Sequence, residues 1–283
     1  MKNKYSGLGL FFIVILIIGL FISRPKLIDD SGHVAASPAV VPTLFLHGYK
    51  GSARSFSTML ERMDEQQWGS KTLVCFVNKR GSVSFKGSIP ENVENPFIQV
   101  IFEHNRANLS DQTKWVQKVM KQLKKRYHIQ EVNLVGHSMG GLALTNYLQT
   151  VADDQLFPKA VKFVTIGSPF MGIDRENYFE ENYGDALTDL RPNSAALRRL
   201  IENKSSFPRD IAVLSIAGVV NHPLAGDGLV SLASALGNQN VFNSEQLTEK
   251  VITNSAATHS GLHEMGEVDE LIAEFLWEDL GAK

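Results

Sequence analysis

The chain has 283 residues, 43% of them hydrophobic and 20% charged, a length and balance that support one sizeable buried core. A formal net charge of −2 leaves no basic footprint for nucleic acid. Cys75 is the only cysteine, which excludes an internal disulfide and a cysteine-based metal cluster; its apolar setting reads as buried core.

Lys2 and Lys4 precede an uncharged stretch from Tyr5 to Ser23, almost wholly apolar from Leu8 to Ile22. As a helix, such a stretch spans about 28 Å, close to the roughly 30 Å of a hydrocarbon core. A cleaved secretory signal needs small residues soon after the apolar run, and Phe21-Ile-Ser-Arg-Pro25 does not supply them. Val34-Ala35-Ala36 has suitable side chains but lies too far along. An uncleaved anchor over 1–23 is therefore favoured over a cleaved signal, and both send the bulk of the chain out of the cytoplasm. Arg24 and Lys26 match Lys2 and Lys4, so charge does not fix the orientation. Residues 24–40 form a proline-punctuated polar linker.

From residue 41 onward, short apolar runs alternate with amphipathic stretches. Thr43–Leu46, Leu73–Val77 and Phe97–Phe102 read as strands, and 79–95 as a long loop or an exposed hairpin. Phe56, Met59, Leu60 and Met63 share one helix face. Ser110 is expected to cap a second helix carrying Trp115, Val116, Val119, Met120, Leu123 and Tyr127. Further strands are expected at 160–166, 211–219 and 250–253, a charged connection at 171–210, a short helix at 229–236, and a last helix with Val268, Leu271, Ile272, Phe275 and Leu276 inward. This alternation predicts an α/β fold with a mostly parallel central sheet covered by helices on both faces. With no repeat and no break in composition, 41–283 is expected to be one catalytic domain.

The chain is organised around Asn133-Leu-Val-Gly-His-Ser-Met-Gly-Gly141. An apolar strand runs into Gly136-x-Ser138-x-Gly140 and then into a helix with Leu142, Leu144, Tyr147 and Leu148 inward, the setting of a nucleophile elbow. The bare pattern arises by chance about once in 3000 windows of average composition, so the strand before and the helix after carry most of the weight. A serine hydroxyl needs an adjacent base, oriented in turn by a third group. In such elbows the acid and then the histidine follow the serine in sequence. Downstream histidines are His222, His259 and His263. His259 is preferred because Ser260 and Gly261 keep it in the loop after the last strand, whereas His263 should already lie on the helix. His222 is too close in sequence to the candidate acid to oppose it comfortably.

Asp227, flanked by Gly226 and Gly228 after the preceding strand, is the preferred acid, and Asp174 is the runner-up. The oxyanion donors are expected to be the main-chain N–H groups of Met139 and Tyr49. His47 and His137 read as packing or hydrogen-bonding residues, and His33, His104 and His128 are scattered over polar stretches. Nothing has metal-ligand spacing, and no cofactor is implied.

With these residues in hand, 41–283 resembles the α/β-hydrolase fold. His47-Gly48, Gly136–Gly141, Asp227-Gly-Leu-Val230 and His259-Ser-Gly-Leu262 match its loop, elbow, acid and base segments in order. Small bacterial lipases have a similar series. The chain looks more closely like a bacterial family of cell-surface hydrolases, through Asn95–Phe102, Asn133–Gly141 and His259–Glu264. Met171 and Met265 depart from that pattern, which usually has a polar residue and Asn there. The resemblance implies Ser138, Asp227 and His259 as a triad.

The leading expectation is a carboxylic ester hydrolase acting through an acyl-enzyme on Ser138. It would take a small-molecule or lipid ester, and its N-terminal apolar segment would meet a membrane. A thioesterase, acyltransferase or peptidase would use the same triad, and a non-catalytic binding module would normally lack one of its members. The segment 171–210 is expected to cap the site. Its charges (Asp174, Arg175, Glu176, Glu180, Glu181 and Asp185) favour short-chain or soluble esters over a lipase lid.

Overall fold

A computed structural model describes residues 40–90, 92–151 and 154–277. The anchor assigned to 1–23 and all but the last residue of the linker assigned to 24–40 lie outside the described residues. Among the described residues, no helix is long and apolar enough to cross a membrane.

Eight strands run as β1 (Thr43–Leu46), β2 (Ser70–Val77), β3 (Val83–Gly87), β4 (Pro96–Phe102), β5 (Glu131–His137), β6 (Lys159–Ile166), β7 (Ala212–Val219) and β8 (Leu247–Thr253). They form one sheet in the order β3-β2-β4-β1-β5-β6-β7-β8. Every neighbouring pair is parallel except β2 and β3, whose hairpin resolves the choice left open for 79–95. The Asn78 side chain accepts the N–H groups of Arg80 and Ser82, which closes that turn.

Because side chains alternate along a strand, each buried strand feeds both faces of the sheet. Leu44, Leu46, Ile98, Val100 and Leu134 join α2 (Leu109–Tyr127) and α3 (Met139–Val151) in one core. Phe45, Phe97, Val135 and Val164 join α1 (Ser57–Glu65) and α8 (Gly266–Leu276) in the other. Phe45 anchors the second core edge-to-face, 5.5 Å from the Phe56 ring and 5.4 Å from Phe97. Cys75 is fully buried in β2, and burial pushes its thiol pKa up.

Three expected elements differ in detail. The cap of α2 is Asn108, whose side chain accepts the Asp111 N–H at 2.8 Å; Ser110 already lies in the first turn. Asn108 has the extended backbone a cap requires, and Leu109 carries the first inward apolar side chain. The helix expected over 229–236 starts later, as α7 (Leu232–Ala235) capped by Ser231, because 229–230 are drawn into the turn after Asp227. The charged connection 171–210 holds three short helices, α4 (Glu176–Glu181), α5 (Ala186–Leu190) and α6 (Ala195–Glu202).

Candidate active site

The loops after β1, β5, β7 and β8 open at the same edge of the sheet, the carboxyl ends of parallel strands where ligands of open α/β sheets bind. Ser138 follows β5 directly, with φ at +55°. This left-handed backbone costs a residue with a side chain on the order of 1–3 kcal/mol and persists only where neighbours enforce it. Here the Ser138 N–H donates to Ile166 O at 2.8 Å, and Gly141 N–H donates to Ser138 O at 3.0 Å. A Cβ on Gly136 would fall 2.6 Å from Gly141, and one on Gly140 would fall 2.3 Å from Leu46 O. Glycine is therefore required on both sides of the bend for strand and helix to close together.

The structure brings Ser138, His259 and Asp227 into one hydrogen-bonded series. The Ser138 hydroxyl donates to His259 Nε2 at 2.9 Å, and His259 Nδ1–H donates to Asp227 Oδ2 at 2.7 Å. The other oxygen of Asp227 accepts the N–H groups of Leu229 at 2.9 Å and Val230 at 2.7 Å. Gly226 (φ +55°) and Gly228 (φ +89°) provide the left-handed backbone of this turn. The His259 N–H also donates to Asp227 O at 2.8 Å, which ties the loop after β8 to the loop after β7. Asp174 and His222 are both exposed and stand outside this series, and His222 Nδ1 accepts the N–H of Leu224.

The main-chain N–H groups of Tyr49 and Met139, the expected oxyanion donors, are engaged by no other protein group among the described residues. The loop after β1 lies hard against the elbow. A Cβ on Gly48 would fall 2.7 Å from Ser138 Cβ, 2.9 Å from His137 O and 3.2 Å from Met139 N.

Other histidines pack around the series. His47 Nδ1–H donates to Gly48 O at 2.9 Å and its Nε2 accepts the Phe102 N–H at 3.1 Å, which fixes one neutral tautomer. Burial lowers its pKa against the raising effect of the Gly48 bond. His137 Nε2–H donates to His259 O at 2.8 Å, and its ring lies 4.8 Å from both the His259 and His263 rings. Burial, reinforced by those two neighbours, holds His137 well below the usual imidazole range. Both residues therefore pack and hydrogen-bond as expected.

His263 lies on a 3-10 turn (Gly261–Glu264) ahead of α8 and not yet on the helix, a small correction; Met265, in extended backbone, separates the two. Its Nδ1–H donates to Glu264 at 3.0 Å. Burial lowers its pKa and Glu264 opposes that shift. Beneath this turn Arg62 of α1 reaches Asp269 of α8 through two bonds, at 2.5 and 3.1 Å, and donates to His263 O at 3.2 Å. Burial raises the Asp269 carboxyl to about 6 against the opposing pull of Arg62.

A cleft of about 340 Å³ sits over Ser138, with Tyr49, Lys50, Tyr178, Leu229 and His259 also in its wall. Sequence reasoning missed Lys50, Tyr178 and Leu229. Leu229 had a signal, being two residues past the candidate acid, whereas Tyr178 sits in a charged stretch with no periodicity. The expected cap meets the cleft only around α4. There Tyr49 Oη–H donates to Tyr183 O and Lys50 Nζ donates to Asn182 Oδ1, both at 2.6 Å.

Comparison with known proteins places the chain in a family. No protein of curated function matches the chain. A product of the gene lin2722 from Listeria innocua superposes with a TM-score of 0.74 at 31% identity, covering 84% of this chain and 94% of the other. A protein from Lactobacillus plantarum WCFS1, described as a "putative cell surface hydrolase", gives 0.65 at 22% identity, covering 86% and 92%. Est1E from Butyrivibrio proteoclasticus gives 0.51 at 15% identity, covering 84% and 88%, a likeness of fold alone. Residues 34–279 match the model of the DUF915 family, described as alpha/beta hydrolases of unknown function. The chain belongs to that family of α/β hydrolases.

Proposed function

We propose that this α/β hydrolase cleaves carboxylic esters through an acyl-enzyme on Ser138. The observation that carries the reading is the unbroken bond series from the Ser138 hydroxyl through His259 to the Asp227 carboxylate. In the first step Ser138 Oγ bonds to the ester carbonyl carbon while its proton passes to His259 Nε2. The carbonyl oxygen takes up negative charge, and the N–H groups of Tyr49 and Met139 are the donors facing it. The tetrahedral species collapses, the bond to the leaving oxygen breaks, and that oxygen takes the proton from His259. Water repeats the sequence in reverse roles, releasing the acid and restoring Ser138. Asp227 orients the imidazole and stabilises it when protonated; the amides of Leu229 and Val230 hold its second oxygen in place.

The apolar N-terminal run supports a place for this activity outside the cytoplasm, tethered to the membrane. Full-length protein should turn over a nitrophenyl acetate ester and label at Ser138 with a fluorophosphonate. Absence of both in folded protein would overturn the reading.

A further inference from the structure

A second hollow, of about 540 Å³, lies beside the nucleophile's cleft. Its wall is mostly aliphatic, from Leu224, Leu229, Leu232 and Leu236, with Asp174 and Arg175 charged and exposed at the rim. Leu229 belongs to the walls of both hollows, so the two spaces meet at one side chain. The main chain that carries it is held by the catalytic-site loop, because the Leu229 N–H donates to Asp227 Oδ1, whose partner oxygen accepts from His259. Leu224 is 81% exposed, the largest exposure among the big apolar side chains described. A bare leucine bordering an aliphatic trough lowers its free energy when apolar matter covers it. The trough's size lies within the ordinary range for small-molecule sites.

We infer that this trough receives the acyl chain of the ester, with its carbonyl at Ser138 and its tail passing Leu229. The inference rests on the ester-hydrolase reading above and adds the substrate class: medium-chain acyl groups. The expectation of short-chain esters came from the charges of 171–210. The trough is built chiefly from 223–236 instead, and that segment contributes only rim charges. The aliphatic wall selects a hydrocarbon tail, and the charged rim disfavours a second apolar group at its far end.

The test uses the full-length protein at one fixed low concentration of non-ionic detergent, with nitrophenyl acetate, butyrate and octanoate. Each methylene that leaves water is worth up to about fourfold in kcat/KM. Four methylenes separate octanoate from butyrate, a ceiling of about 250-fold, and burial of even half of that gain should put octanoate above butyrate by about tenfold. Leu232→Trp, which fills the trough, and Leu224→Ser, which strips its exposed lip, should each lower the octanoate-to-acetate ratio. Fluorophosphonate labelling at the wild-type rate identifies folded variants, and the exposed Leu224 position covers the case in which the Trp variant does not fold. A wild-type profile that is flat or falls beyond acetate, with acetate turnover intact, overturns the trough and leaves the esterase reading standing. So does a ratio unmoved in a folded variant. No turnover of any ester and no labelling overturns both.

Discussion

At the scale of the residue, the site depends on groups that cannot be exchanged for near relatives. Ser138→Ala removes the proposed nucleophile and should lower ester turnover by roughly 10⁶. Asp227→Asn keeps the shape of the turn but offers the wrong partner to His259 Nδ1, and should cost on the order of 10⁴ in kcat. Turnover near the wild-type rate in either purified variant would contradict the assigned roles. Gly48→Ala tests the neighbouring loop. Its methyl would meet Ser138 Cβ at 2.7 Å, on a residue whose backbone is already left-handed, and the His137 carbonyl at 2.9 Å. Displacing the nucleophile on that scale should lower kcat by about 10², read with nitrophenyl acetate. Ser138, Asp227 and His259 were legible in the sequence because each lies within two residues of a glycine in the connection that follows a strand. Tyr178 was not, because its arrival at the cleft depends on how α4 folds back over the sheet edge.

Among the elements, α1 and α8 share one core and are joined across its edge by Arg62 and Asp269. Asp269 is nearly inaccessible, so Arg62→Ala would strand a buried carboxyl group and should cost about 3 kcal/mol of stability, measured as the denaturant midpoint. It would also remove the donor to the His263 carbonyl, close to the loop that carries His259. A midpoint unchanged in Arg62→Ala would mean that the pair adds nothing. The strands and long helices were legible because apolar runs and helical periodicity are local signals. The helices α4 to α6 were not, being short and fixed by contacts from elsewhere: Asp189 accepts the Leu109 N–H at the start of α2, and Gln149 of α3 donates to Leu200 O of α6. The cap of α2 was misplaced because Asn108 and Ser110 are both good capping residues, and only the backbone turn at Asn108 distinguishes them.

For the whole molecule, buried imidazoles set how stability follows pH. His47, His137 and His263 all have pKa values lowered by burial in the folded chain. Unfolded, they titrate near 6.5. Above that value neither state binds the proton; below it the unfolded chain takes up protons that the fold resists. Stability from these groups is therefore complete above about pH 6.5 and falls as acid is added. Asp269, raised to about 6, has the opposite sign: between its unfolded pKa of roughly 3.9 and about 6 it favours the folded state as pH falls. Burial also raises the Asp189 carboxyl, which acts with the sign of Asp269. With three imidazoles against two carboxyls, the melting temperature should drop between pH 7.5 and 5.5, and His137→Asn should flatten that slope. A melting temperature unchanged across the interval would show that these rings titrate alike in both states. The parallel sheet was legible from the alternation of apolar runs and amphipathic stretches alone, and the placement of β3 at its edge was not, since a polar hairpin can equally be a loop.

One bend has a wider consequence. Asp227 grips the imidazole with one oxygen and the amides of Leu229 and Val230 with the other, so in the proposed ester hydrolase a single carboxylate sets both the proton relay and the partition between the two hollows. Reactivity and selectivity are thus mechanically yoked. A sequence drifting toward a different ester cannot reshape that partition through residues 226–230 without also retuning its own general base.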